Sequence, residues 1–373
     1  MSQNGYHADY DAGIYDAGIY DALIVVSFGG PEGMDDVMPF LENVLRGRNV
    51  PRERMVAVAH HYELFGGISP INGQNRALID ALENELAEHG PHLPIYWGNR
   101  NWQPFMIDTL RQMANDGVKK ALAFFTSAYS SYSGCRQYRE NIAEATEALA
   151  AEGIQAPEIH LLRKFYNHPG FIKANVEHVR AALAQIPAER RSETQIVFTA
   201  HSIPLGMAQN SMYATHFSET SRLVAEGIGH ARWQQAYQSR SGSPQQPWLE
   251  PDILDALREL KAEGVQDVVI APVGFISDHM EVLYDLDTEA RQLSDEIGLY
   301  MVRAATAGVN PAFVSMIREL IVERIEVEAG GHPTRHVLGK FGASHDVCPV
   351  NCCLPAQRLT PAQTAPTTTA THS

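Results

Sequence analysis

The sequence predicts an α/β fold built from two similar halves, and three observations predict it. Short, wholly apolar runs rich in Val, Ile and aromatic residues alternate with amphipathic stretches, as buried parallel strands alternate with the helices that cover them. The pattern Asp108, Leu110, Arg111, Met113, Gly117, Val118 recurs 147 positions later as Asp255, Leu257, Arg258, Leu260, Gly264, Val265. In both copies an amphipathic helix ends at a glycine suited to a left-handed cap and leads straight into a strand. Two Rossmann-like domains with parallel sheets flanked by helices are expected, over residues 21–190 and 191–330.

Taken in order, residues 1–20 carry the five-residue unit Tyr-Asp-Ala-Gly-Ile at Tyr10 and again at Tyr15, which reads as a poorly ordered arm. Strands are expected at 22–28, 95–99, 121–126, 195–200, 267–273 and 299–303. The first strands of the halves correspond, with 23–27 set against 195–199. A late helix begins after Asn310, a good N-cap, with Pro311 in its first turn and Phe313, Met316, Ile317, Leu320 and Ile321 on one face. Three cysteines fall in a C-terminal segment, 331–354. Beyond it six Thr and three Pro in the last twenty residues offer too little apolar surface to offset ordering entropy, so 355–373 read as a disordered tail.

Composition excludes several classes. No apolar run approaches the roughly 18–20 residues needed to span a bilayer. The first 45 residues contain no Lys or Arg, so neither a secretory leader nor an Arg-rich transit peptide is indicated, and a cytoplasmic location is expected. A net charge of -15, without a basic stretch interleaved with aromatics, argues against nucleic acid as a partner. No HExxH, Walker or GxSxG pattern occurs, and Gly29-Gly30 is too short for a dinucleotide fingerprint.

In parallel sheets ligands bind beyond the carboxyl ends of the strands. Four such segments carry polar chemistry, beginning at Ser27, Tyr129, His201 and Ser277. His201 directly follows an apolar strand, where a neutral imidazole takes a proton near pH 7 or binds a metal; the plainer reading is a strand-end cap. Glu281, Asp285 and Glu289 fall at i, i+4 and i+8 of one helix, three carboxylates on one face. Such a stripe inside a cleft needs a cation or protons as compensation, whereas on a surface it is only a solvated face. A histidine facing carboxylates suits divalent iron.

At these residues the sequence resembles the ferrochelatase family, its actinobacterial branch in particular, across roughly residues 20–330. The motifs are SFGGPE at 27–32, FGGISPINGQNRAL at 65–78, GNRNWQPF at 98–105, FTAHSIP at 198–204, WQQAYQSRSG at 233–242 and PVGFISDHMEVLYDLD at 272–287. The resemblance implies a chelatase-type pair of domains and an enzyme that inserts ferrous iron into a porphyrin in haem biosynthesis, coproporphyrin III being the preferred substrate. It implies that His201 and Glu281 hold the iron and manage the two pyrrole protons, while Asp285 and Glu289 relay protons or metal. Ser69, Tyr129, Arg46, His61 and Tyr62 correspond to porphyrin-contacting positions. Two departures stand out: Phe28 occupies a place where many members carry an iron-ligating Tyr, and His61 one where the family has a fixed cation.

Cys348, Cys352 and Cys353, with Cys135, are the chain's only cysteines. Four thiolates make one full set for a 2Fe-2S cluster; zinc and free thiols are the alternatives, and disulfides are disfavoured in a reducing compartment. The resemblance implies the cluster. Other readings are a cobalt or nickel chelatase of an early tetrapyrrole and a porphyrin carrier without catalysis, which would need no proton-accepting ladder.

Overall fold

The computed structural model describes residues 17–47, 50–242 and 245–356. Its first sheet is built from β1 (Ala22–Ser27), β2 (Ile95–Asn99), β3 (Lys120–Phe125) and β4 (Glu158–Leu161), all parallel, in the order β2-β1-β3-β4. Its helices are α1 (Met34–Val44), α2 (Arg52–Glu63), α3 (Pro70–His89), α4 (Met106–Asn115), α5 (Gln137–Ala151) and α6 (Pro169–Leu183). The second sheet repeats the plan with β5 (Gln195–His201), β6 (Trp233–Gln238), β7 (Asp267–Ala271) and β8 (Tyr300–Arg303) in the order β6-β5-β7-β8. It carries α7 (Leu205–Gln209), α8 (Tyr213–Ile228), α9 (Ile253–Ala262), α10 (Met280–Val282), α11 (Arg291–Ile297) and α12 (Pro311–Glu328).

The internal repeat is structural. The α4–β3 and α9–β7 units match at the offset of 147, with Gly117 and Gly264 both left-handed between helix and strand. The first strands match one position away from the expected alignment. Leu23 pairs with Leu122 and Ile196 with Val269, so Leu23 answers Ile196 rather than Gln195. Both strands are buried on both faces, so the apolar pattern carried no alternation to fix the register. With this alignment Phe28, just past β1, is the counterpart of His201 at the end of β5.

One apolar core joins the halves. Leu23, Val25, Leu122 and Phe124 of the first sheet pack in the same cluster as Ile196, Phe198, Val269 and Ala271 of the second, with α3, α6, α8 and α12 between them. Asn310 caps α12 as expected, its Oδ1 accepting the Ala312 N–H at 2.9 Å. That helix packs on α6 and α3, so the last helix assigned by sequence to the second half covers the first. Arg318, Glu323 and Arg324 on it are buried too, held by ion pairs and carbonyls, although Arg324 Nε makes no hydrogen bond.

The expected arm lies outside the described residues as far as 16, and the expected tail from 357 onward. The described end of the arm is not loose: Ala17–Ile19 forms a 3₁₀ turn, and Tyr20 is 1% exposed, its hydroxyl 2.8 Å from His160 Nδ1. Among the described residues no helix is long and apolar enough to cross a membrane.

Candidate active site and thiol cluster

His201 is the last residue of β5. Its Nδ1 lies 2.5 Å from the Ser202 carbonyl, a bond that holds the hydrogen on Nδ1 and leaves the lone pair on Nε2. Tyr213 fixes the strand end by donating to the His201 carbonyl at 2.9 Å. Burial lowers the imidazole pKa, and Glu281 works against that fall, so the ring is neutral at physiological pH. It is poised as a base and as a ligand.

The acidic ladder does not lie on one α-helix. Glu281 sits in α10, and a π-helical segment, Leu283–Ala290, carries Asp285 and Glu289 into α11. Such i→i+5 segments are rare and concentrate at functional sites. Burial acts to raise the pKa of Glu281, but His279 and then His201 override it and hold the carboxyl at about 2. His279 Nδ1 is 2.9 Å from Glu281 Oε2, and Gln238 of β6 donates to the Glu281 carbonyl at 2.7 Å. Asp285 behaves oppositely. Burial, reinforced by Glu281 and Glu289, pushes it up to about 7 although Ser239 donates to its Oδ2. Glu289 is also raised, by burial and by Asp252. The ladder therefore pairs one firmly ionised carboxylate with one that exchanges a proton near neutrality.

The expected porphyrin contacts divide. Tyr62, Phe28, Phe40 and Trp102 form a small apolar cluster with Met280 and Tyr284 of the ladder segment. Glu281 adds to burial in raising the Tyr62 pKa. His61 stacks on Tyr284 with centroids 3.6 Å apart and planes 7° from parallel, and burial lowers its pKa. Arg46 follows α1, its guanidinium 2.5 Å from Asn43 Oδ1. Ser69 is buried at the start of α3. Tyr129 is elsewhere: it is 1% exposed in the core between the halves, and its hydroxyl donates to the Val273 carbonyl at 2.9 Å. Folded this way, it offers no free polar atom to a ligand.

The four cysteines converge although Cys135 is far from the others in sequence. Cys135 sits in a second π turn, Tyr132–Arg136, and Arg136 Nη1 donates to the Val350 and Cys352 carbonyls at 2.8 and 3.3 Å, pinning the C-terminal segment beside it. Cys352 and Cys353 sulfurs are 3.5 Å apart. A hydrogen bond from Cys353, aided by Lys164 against the opposing effect of burial, draws the Cys135 thiol down to about 5. Burial and Cys352 push Cys348 up to about 11. His345, Cys348 and Cys352 also place ligand atoms within 4.8 Å of one another.

Sequence reasoning passed over His279, Ser239, Tyr284 and His345. His279 lay in plain view two residues before Glu281, and His345 stands in an H-x2-C spacing with Cys348, a metal-ligand signal. The Ser239 and Tyr284 contacts depend on tertiary proximity alone.

The ferrochelatase family profile matches residues 20–325. A coproporphyrin III ferrochelatase of Streptomyces coelicolor is 53% identical over 91% of this chain and 94% of its own length, and a ferrochelatase of Rhodopirellula baltica is 56% identical over the same shares. Among solved structures, the cobalt complex of the sirohydrochlorin chelatase SirB from Bacillus subtilis subspecies spizizenii matches 83% of this chain and 97% of its own at 11% identity and TM-score 0.49, too loose a likeness to argue from. On the family match and the identity of these relatives along nearly their whole length, the chain belongs to the ferrochelatase family.

Proposed function

We propose that this chain inserts ferrous iron into coproporphyrin III, with His201 and Glu281 as the residues that receive the metal and the pyrrole protons. The observation that carries the reading is the split ladder: beside a neutral imidazole stands one carboxylate held at about 2, and next to that carboxylate another raised to about 7. Groups pushed apart in this way divide the work. Glu281 stays anionic at every physiological pH and attracts the cation. His201 Nε2 accepts a proton from a pyrrole N–H, and Asp285 takes protons onward near neutral pH, Ser239 holding its oxygen in place. Glu289, farther along the same segment, continues that route. The apolar cluster of Phe28, Tyr62, Trp102 and Tyr284 supplies flat surface for a macrocycle, with His61 and Arg46 at its margin as partners for carboxylate side chains. Phe28, the counterpart of His201 in the first half, brings no ligand atom, so metal is approached from the His201 side. Coproporphyrin is favoured because several relatives named for it are 44–53% identical to this chain.

The same reading assigns Cys135, Cys348, Cys352 and Cys353 to a 2Fe-2S cluster. The donor set fits: four thiols from two distant segments gather at one place, one of them already drawn toward the thiolate. Bound there, the cluster would supply a one-electron centre and a cross-link between the C-terminal segment and the turn carrying Cys135. A mononuclear zinc reading has His345 with Cys348 and Cys352 in its favour, and metal analysis of the purified protein separates the two. The functional reading is tested by anaerobic addition of ferrous iron to the protein with coproporphyrin III or protoporphyrin IX. Faster turnover of coproporphyrin is expected; preference for protoporphyrin overturns the substrate assignment, and metalation of neither overturns the activity.

A further inference from the structure

Asp278 and Asp287 bracket the segment that carries His279, Glu281 and Asp285, and one guanidinium grips both. Arg303, the last residue of β8, donates Nε and Nη2 to Asp287 at 2.6 and 2.9 Å, and Nη1 and Nη2 to Asp278 at 3.2 Å each. Thr306 Oγ1 adds a bond to Asp278 at 3.2 Å, and the Asp278 N–H donates to Gln74 of α3 at 2.7 Å, which ties the bracket to the first half. Arg303 at 15% and Asp278 at 18% exposure are mostly withdrawn from solvent, while Asp287 at 33% is half-buried, so the Asp278 pair is the less screened of the two. A planar fork that engages two carboxylates is a task for Arg and not for Lys.

The internal repeat supplies an independent comparison. In the first sheet Ala123 stands opposite Leu161, and in the second the equivalent Ile270 stands opposite Arg303. The half without the acidic ladder thus has an apolar side chain where the half with the ladder has the guanidinium. The first half has its own π turn, Tyr132–Arg136, yet no arginine at the equivalent of Arg303, so the change goes with the acidic ladder and not with π geometry. Asp278 precedes α10 and Asp287 lies within the π segment, so the guanidinium spans the stretch that holds Glu281 and Asp285.

We propose that Arg303 is a positioning residue for iron insertion: by clamping Asp278 and Asp287 it fixes the chain on either side of Glu281 and Asp285 and so keeps Glu281 beside His201 and Asp285 beside Glu281. The proposal rests on the reading of His201 and Glu281 as the iron-receiving site. It is tested by anaerobic steady-state insertion of ferrous iron into coproporphyrin III with full-length Arg303→Gln, Arg303→Lys, Asp287→Asn and the Arg303→Gln/Asp287→Asn pair, with His201→Ala as reference and thermal midpoints for all. Arg303→Gln is expected to lower kcat about 10²-fold, the scale of an ångström-sized misplacement, with KM for the porphyrin within about twofold. Arg303→Lys should recover little, and the double variant should be no slower than Arg303→Gln. A folded Arg303→Gln with kcat within about threefold of wild type, beside an inactive His201→Ala, overturns the clamp and leaves the site reading standing. Full activity in His201→Ala overturns the site reading and the clamp with it. If Arg303→Gln does not fold, Asp287→Asn decides in its place: about tenfold slower turnover is expected, and an unchanged rate overturns the clamp.

Discussion

Replacing Asp285 by Asn should make the protein more stable above neutral pH and slower at its work. The carboxyl is held in a buried position beside Glu281 and Glu289, which raises its pKa from the ordinary 3.8 to about 7. The folded state therefore resists ionisation that the unfolded chain accepts freely. Below about pH 4 the carboxyl is protonated in both states and costs nothing. The penalty grows as pH rises through the interval between 3.8 and about 7 and is constant above it. At about 1.4 kcal/mol per pH step the ceiling is roughly 4 kcal/mol, and solvent screening at a partly open cleft brings the expected gain to about 1–3 kcal/mol. Asn keeps an acceptor for Ser239 while removing the charge. Thermal unfolding of wild type and Asp285→Asn at pH 8 and pH 4.5 reads the effect directly. The variant should melt a few degrees higher at pH 8, with the gain shrinking toward pH 4, while iron insertion slows. A variant that is less stable at pH 8, or a gain that does not change with pH, refutes this electrostatic picture of the ladder.

Three further outcomes follow from other parts of the molecule. Cys135→Ser should abolish the visible absorbance of the purified protein and lower its stability by an amount on the order of 4 kcal/mol, the scale of opening a very long cross-linked loop; a colourless variant that melts with wild type removes the structural role of the cluster. Tyr129→Phe should cost about 1 kcal/mol through the bond lost to the Val273 carbonyl, with KM for coproporphyrin unchanged; a KM raised severalfold would return Tyr129 to the substrate site. Gly274→Ala should be destabilised by about 1–3 kcal/mol in urea unfolding, because a Cβ there would stand 2.5 Å from Ala200 Cβ and 2.6 Å from its Cα; wild-type stability would mean that the loop between β7 and the ladder yields freely.

The interior of the fold was legible because central parallel strands are buried on both faces and read as continuous apolar runs. β1, β3, β5 and β7 all did so. β4 and β6 were missed because Glu158–Leu161 and Trp233–Gln238 carry Glu, His and Gln that interrupt the apolar run, whereas the other two edge strands, β2 and β8, keep enough apolar residues to be read. The two-sided burial that revealed the central strands also concealed their register, since a run without alternation fits one position to either side. The repeat around Gly117 and Gly264 succeeded because a left-handed cap leaves a residue-specific mark.

In the site, chemistry was easier to read than geometry. His201, Glu281 and Asp285 come together, as do the thiols of Cys135 and Cys353, and each of these residue types was conspicuous in sequence. The spacing of the ladder suggested an α-helix, but i, i+4 and i+8 also share a face on the wider π coil, so the pattern did not distinguish the two. Tyr129 was placed in the site by its position beyond a strand and by the family resemblance, yet it sits just after β3 where the halves press together, among apolar neighbours of α8 and β6. Contacts made across the cleft, such as His61 on Tyr284, leave no trace in local sequence.

The most direct measurement is the anaerobic absorbance change when ferrous iron is added to coproporphyrin III with wild-type protein and with His201→Ala. Rapid metalation by wild type and none above the uncatalysed rate with the variant is the expected result. Tight binding of coproporphyrin without metalation by wild type, or equal rates with His201→Ala, would contradict a strand-end histidine as the centre of iron insertion.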